Sequence, residues 1–76
     1  MPIAYVLLNT EIGSEREVLQ EIKRIEGVQE AFNLWGVYDI IAQVKADTID
    51  KLNQIINQKL QVKKVNNKLT MVITET

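Results

Sequence analysis

The spacing of apolar residues along this chain switches between the two-residue period of a strand and the 3.6-residue period of a helix, and the order of those switches constrains the fold more than any other feature. Ile3-Ala4-Tyr5-Val6-Leu7-Leu8 is a continuous apolar, β-prone run, ended by the turn residues Asn9 to Gly13. Val18, Leu19, Ile22 and Ile25 then recur at helical spacing. Ser14 and Glu17 have the spacing of a capping box, and Gly27 is a natural stop, which predicts a helix of about a dozen residues. From Val28 the pattern alternates, with Val28, Glu30, Phe32 and Leu34 on one side and Gln29, Ala31, Asn33 and Trp35 on the other. Gly36-Val37 reads as a two-residue hairpin turn flanked by Trp35 and Tyr38 as a cross-strand aromatic pair, and Tyr38 to Lys45 is the return strand. Asp47 or Thr48 caps a second, longer helix with the stripe Ile49, Leu52, Ile55, Ile56 and Leu60, and Leu69 to Thr74 is a β-branched last strand.

The order βαββαβ predicts an α+β, ferredoxin-like fold: one domain over residues 1–76, with a four-stranded antiparallel sheet and both helices on one face. A weak internal repeat agrees, since Val18 and Ile22 correspond to Leu52 and Ile56, and Val28 to Val65. A chain of 76 residues has a small core and needs a supplement. With neither Cys nor His, that supplement is not a disulfide or one of the usual zinc ligand sets, so no metal or cofactor is expected. Strand one is apolar at every position, hence covered on both faces, while two helices cover only one. Sheet-to-sheet pairing of two copies, a dimeric α/β sandwich or barrel, meets that need, although Asn33, Gln43 and Lys45 make the second face less apolar than an obligate interface.

A net charge of −1 gives no electrostatic footprint for a polyanion, and no segment stands apart to enter a groove, so direct nucleic-acid binding is not expected. Lys59, Lys63, Lys64 and Lys68 form the one basic cluster, read as a solvated helix end. The chain has no signal peptide and no apolar run long enough for a bilayer, so the expected location is the cytoplasm, without a membrane. Catalysis would have to use a carboxylate, Lys or Tyr, and neither a spaced carboxylate pair nor a Gly-rich phosphate loop is present. Asp39 alone is an ionisable group set against an apolar run. It reads either as a carboxylate accepting backbone N–H bonds at the hairpin mouth or as the counter-charge for a ligand ammonium, beside turn amides that receive a carboxylate.

Ala4-Tyr5-Val6-Leu7-Leu8, Thr10, Gly13, Val18, Gly27-Val28, Gly36-Val37-Tyr38-Asp39-Ile40 and Thr70 together resemble the effector domain of the Lrp/AsnC family of amino-acid-responsive transcription regulators. The Gly-x-Tyr-Asp hairpin is the most specific element, and the resemblance covers essentially the whole chain. No helix-turn-helix segment accompanies it, so the similarity is to the stand-alone modules of that family. The resemblance implies sheet-to-sheet dimers, assembly into tetramers or octamers, and amino-acid effectors held between dimers. It puts Gly36, Val37, Tyr38 and Asp39 in the ligand-binding region, with Trp35 adjoining, and Thr70 at the later of two Thr positions in the last strand. Lys64 stands where the family has Gly before that strand, and Lys68 where it has the earlier Thr.

Three functions follow as expectations. The first is an amino-acid-sensing oligomerisation module that modulates transcription regulators, full-length relatives among them. The second is a ligand-independent interaction module that pairs with such regulators through the sheet. The third is an enzyme of the dimeric α/β barrel kind, which the lack of His disfavours.

Overall fold

A computed structural model describes residues 1–73. The elements run β1 (Ile3–Thr10), α1 (Glu15–Lys23), β2 (Val28–Asn33), β3 (Ile40–Lys45), α2 (Ile49–Gln54), a π-helical turn continuing α2 (Ile55–Lys59), and β4 (Val65–Ile73). The strands form one antiparallel sheet in the order β2-β3-β1-β4, so the two halves interlock through the central pair. This is the ferredoxin-like arrangement expected from the order of periods.

Every second residue of β1 and β3 is buried: Ala4, Val6, Leu8 and Thr10, then Ile40, Ala42 and Val44. The apolar ones meet Val18, Leu19 and Ile22 of α1 and Leu52, Ile56 and Leu60 of the second helix in one core. The residues between them face the other side of the sheet. There Ile3, Tyr5, Leu7 and Ile41 are half-buried, and Phe32, Leu69 and Met71 are exposed.

Several local expectations are corrected. Ser14 precedes α1 but its side chain makes no capping bond, and Glu17 turns away to pair with Lys64. α1 ends at Lys23, shorter than expected, because Arg24 and Ile25 tighten onto Glu21 O and Ile22 O before Gly27 reverses the chain. In β2 the register shifts between Val28 and Glu30, so the strict alternation fails: Ala31 enters the core and Phe32 faces outward, 56% exposed. Thr48, not Asp47, caps α2, its hydroxyl oxygen accepting Lys51 N–H at 3.1 Å. β4 begins four residues earlier than expected, at Val65, and Thr74 lies outside the described residues.

The second helix closes with Leu60 N–H donating to Ile55 O, an i→i+5 bond. Such a wide turn leaves carbonyls unpaired at the helix end. The Lys68 ammonium donates to Ile56 O at 2.7 Å, and Gln61 Nε2 to Asn57 O at 2.8 Å. A cation at this negative end of the helix is favourable, which accounts for Lys68 without a ligand.

Candidate functional site

The chain between β2 and β3 is a wider loop than the sequence suggests. Leu34 N–H donates to Asp39 O at 2.7 Å, so these two residues close the loop, and Trp35, Gly36, Val37 and Tyr38 are all inside it. Gly36-Val37 is therefore not a two-residue turn, and Trp35 and Tyr38 are not a cross-strand pair. Gly36 has φ +150° with nothing within 4 Å of an added Cβ, so backbone conformation and not crowding favours glycine there. Trp35 is fully exposed (103%) and Val37 nearly so, whereas Tyr38 and Asp39 are half-buried.

The last three residues of β1 hold this loop. Leu8 O accepts Asp39 N–H at 2.9 Å. Asp39 Oδ2 accepts Thr10 N–H at 2.9 Å, the backbone role foreseen in one of its two readings. Asn9 Nδ2 donates to Val37 O at 2.8 Å. The Thr10 hydroxyl is buried and finds no partner among the described residues, so Thr10 serves the loop through its backbone. Among the described residues, the N–H groups of Trp35, Gly36, Val37 and Tyr38 donate to no backbone carbonyl. The loop thus combines a carboxylate with amides that have no backbone partner, groups of the kind that can receive a ligand's ammonium and carboxylate.

Thr70 is not part of this group within one chain. It lies opposite Val6 on β4, the far flank of β1, exposed on the edge of the helix side. Val6 stands three to four positions before Asn9 and Thr10, roughly 10–13 Å along the strand. Asn9 was missed by sequence reasoning because an Asn after an apolar run reads as turn punctuation; only the fold brings it across to residue 37.

Concavities also lie elsewhere, two of them at opposite places on the sheet. One of about 380 Å³ surrounds Gly27, Lys45, Lys51 and Ile55 at the opposite end of β2, and a small apolar one of about 80 Å³ lies on the open sheet face among Tyr5, Phe32, Ile41 and Gln43. Two of the four lysines of the basic cluster are engaged in structure, Lys68 at the helix end and Lys64, whose Nζ sits 3.0 Å from Glu17; this carboxylate, first by its hydrogen bond and then by its charge, raises the Lys64 pKa above 10.5. No helix among the described residues is long and apolar enough to cross a membrane.

Comparison with known proteins adds the family. An HTH-type transcriptional regulator of Pyrococcus horikoshii is 32% identical over 73 residues, covering 91% of this chain and 49% of that protein. A homocitrate synthase of Sulfolobus acidocaldarius is 43% identical over 56 residues, covering 74% of this chain but 12% of the enzyme. The crystal structure of a hypothetical protein from P. horikoshii superposes with a TM-score of 0.92 at 32% identity, over 100% of this chain and 93% of that one. The chain spans about half the length of the Pyrococcus regulator it matches, and a small part of the enzyme. The family model described as the Lrp/AsnC ligand binding domain matches residues 3–76, and the chain belongs to that family.

Proposed function

We propose that this chain is an amino-acid-responsive assembly module: copies pair through the open face of the sheet, and an amino acid held at the 35–39 loop shifts the assembly or that of a full-length regulator. The observation that carries the reading is the half-buried Asp39 carboxylate beside loop amides that have no backbone partner. Asp39 takes the ligand ammonium, and the amides of Gly36 to Tyr38 take its carboxylate. Trp35 lies against the bound side chain, and Thr70 contributes from a neighbouring copy, because one chain keeps it away from the loop.

The pairing surface is the sheet face that carries Phe32, Leu69 and Met71 exposed, with Tyr5, Leu7 and Ile41 half-buried between them. Apolar side chains contiguous over four strands are a contact surface more often than a free one. Tetramers or octamers follow when ligand-bearing loops of such dimers meet. A ligand alters the assembly only by its differential affinity for the assembled and separate states.

Isothermal titration with the twenty standard amino acids, run on the wild type and on Asp39→Ala, tests the reading. At least one should bind the wild type and bind the variant about tenfold or more weakly, as expected for a lost charge-assisted contact. Light scattering on the same samples should show a change in mass with ligand. No heat from any amino acid sinks the proposal.

A second reading has one observation in its favour: stretches like this one occur within both a helix-turn-helix regulator and a homocitrate synthase. That is the pattern of a portable interaction module, which would pair with larger proteins through the sheet without a ligand. Co-purification with a helix-turn-helix protein, unchanged by any amino acid, would favour it.

A further inference from the structure

The loop has a mount that the Gly-x-Tyr-Asp pattern does not include. Asn9 is half-buried on β1, the central strand hydrogen-bonded to both β3 and β4. Its Nδ2 donates to Val37 O at 2.8 Å, across twenty-eight positions of sequence. Its Oδ1 accepts Asn67 Nδ2 from β4 at 3.4 Å. Only the amide nitrogen can serve a carbonyl, so the bond to Val37 fixes which way the Asn9 amide is turned and leaves its oxygen for Asn67.

We infer that Asn9 is a positioning residue for the loop: by drawing the Val37 carbonyl toward β1 it sets the 37–38 peptide plane and aims the Tyr38 N–H at a ligand carboxylate. In a trans peptide the C=O and the following N–H point in opposite directions, and the chain has no cis peptide among its described residues. A Val37 C=O held against β1 therefore sends the Tyr38 N–H away from it. That N–H has no backbone partner among the described residues. Asp39 is anchored separately, through Thr10 N–H and Leu8 O, so the ammonium partner stays in place when Asn9 is changed. The two ends of a zwitterion are thus positioned by different residues, Asn9 for the carboxylate side and Asp39 for the ammonium side. This inference rests on the amino-acid reading above, and its test separates the two.

Asn9→Asp keeps the shape of the side chain but sets a carboxylate against the Val37 carbonyl oxygen; Asn9→Ala removes the donor without adding charge. Wild type and both variants are titrated with the standard L-amino acids and with the carboxamide of each that binds. The wild type should prefer the acid over its amide, whose carbonyl oxygen still accepts an N–H but carries no charge, and both variants should weaken the acid about tenfold more than the amide. Equal weakening for acid and amide would mean a merely structural role and overturns the inference, as does an unchanged preference. A second arm needs no ligand. Backbone ¹⁵N relaxation should show residues 35–38 ordered in the wild type and more mobile in both variants, and equal order in all three overturns the inference. If no amino acid binds the wild type, the sensor reading fails and relaxation still decides whether Asn9 positions the loop.

Discussion

Gly27 and Lys64 occupy the same place in the two halves of the molecule, one residue before β2 and one before β4, and both have φ > 0, at +100° and +70°. Their carbonyls do the same work: Gly27 O accepts Lys45 N–H and Lys64 O accepts Glu11 N–H, each at 2.8 Å, tying the start of one strand to the end of another. The chain path therefore calls for a left-handed residue twice. Packing differs between the two. A Cβ on Gly27 would lie 2.6 Å from Ile55 Cδ1 and 3.3 Å from Lys45 O, whereas Lys64 sends its side chain outward to Glu17. Backbone conformation makes glycine favourable at both positions, and only at Gly27 does the second helix also crowd the place of a Cβ.

The largest expected effect breaks the comparison from the crowded side. Gly27→Ala combines the strain of a Cβ at positive φ with a clash at Ile55, and should cost about 2–4 kcal/mol. Urea unfolding at fixed protein concentration measures it, the concentration being fixed because self-association shifts apparent stability. Ile55→Val deletes the Cδ1 atom that an alanine Cβ would meet. In that background Gly27→Ala should cost less, about 1–2 kcal/mol, for the conformation and the remaining approach to Lys45 O. A double-mutant cycle showing no coupling between 27 and 55 would remove crowding as the reason for glycine.

Element order was legible in the sequence because the periods are strong and the punctuation at Gly13, Gly27 and the Asp47-Thr48 pair is clear. The single residues that depend on partners far away were not. The Ser14–Glu17 spacing suggested a capping box, but Lys64, forty-seven positions on, claims the Glu17 carboxylate. The register shift in β2 moved Phe32 from the core side to the open face, and a bulge has no signature in Val28-Gln29-Glu30. Glycine before Val37 suggested a tight turn, yet the chain closes at Leu34 and Asp39, because Asp39 is held by β1 and carries the closing pair outward. Of the site, the Gly36 to Asp39 loop was visible as a motif. Its mount, Asn9 and Thr10, became visible only once β1 was known to run between β3 and β4.

From the open side, Lys64→Gly should stabilise the protein by about 0.5–1 kcal/mol, the reverse of Gly27→Ala. The gain from relieving positive φ is reduced by the greater freedom of glycine in the unfolded chain and by loss of an exposed ion pair. A variant less stable than the wild type would mean that the Glu17 pair, and not the backbone, decides position 64.

The smallest effect isolates that pair. Glu17 raises the Lys64 pKa above 10.5, so the folded state holds the Lys64 proton more tightly than the unfolded state does. Its contribution is fully present below pH 10.5 and is lost as pH rises through the higher folded-state value. Glu17→Gln removes the charge that causes the shift. Thermal melts of the two proteins should therefore differ slightly near neutral pH and converge as pH climbs past that range, and added salt should narrow the neutral-pH gap by screening the exposed pair. Gly27 has no such partner, so the stability change from Gly27→Ala should not vary with pH over the same interval. A gap between wild type and Glu17→Gln that persists at high pH would mean that Glu17 acts at the start of α1 through its helix position and not through Lys64.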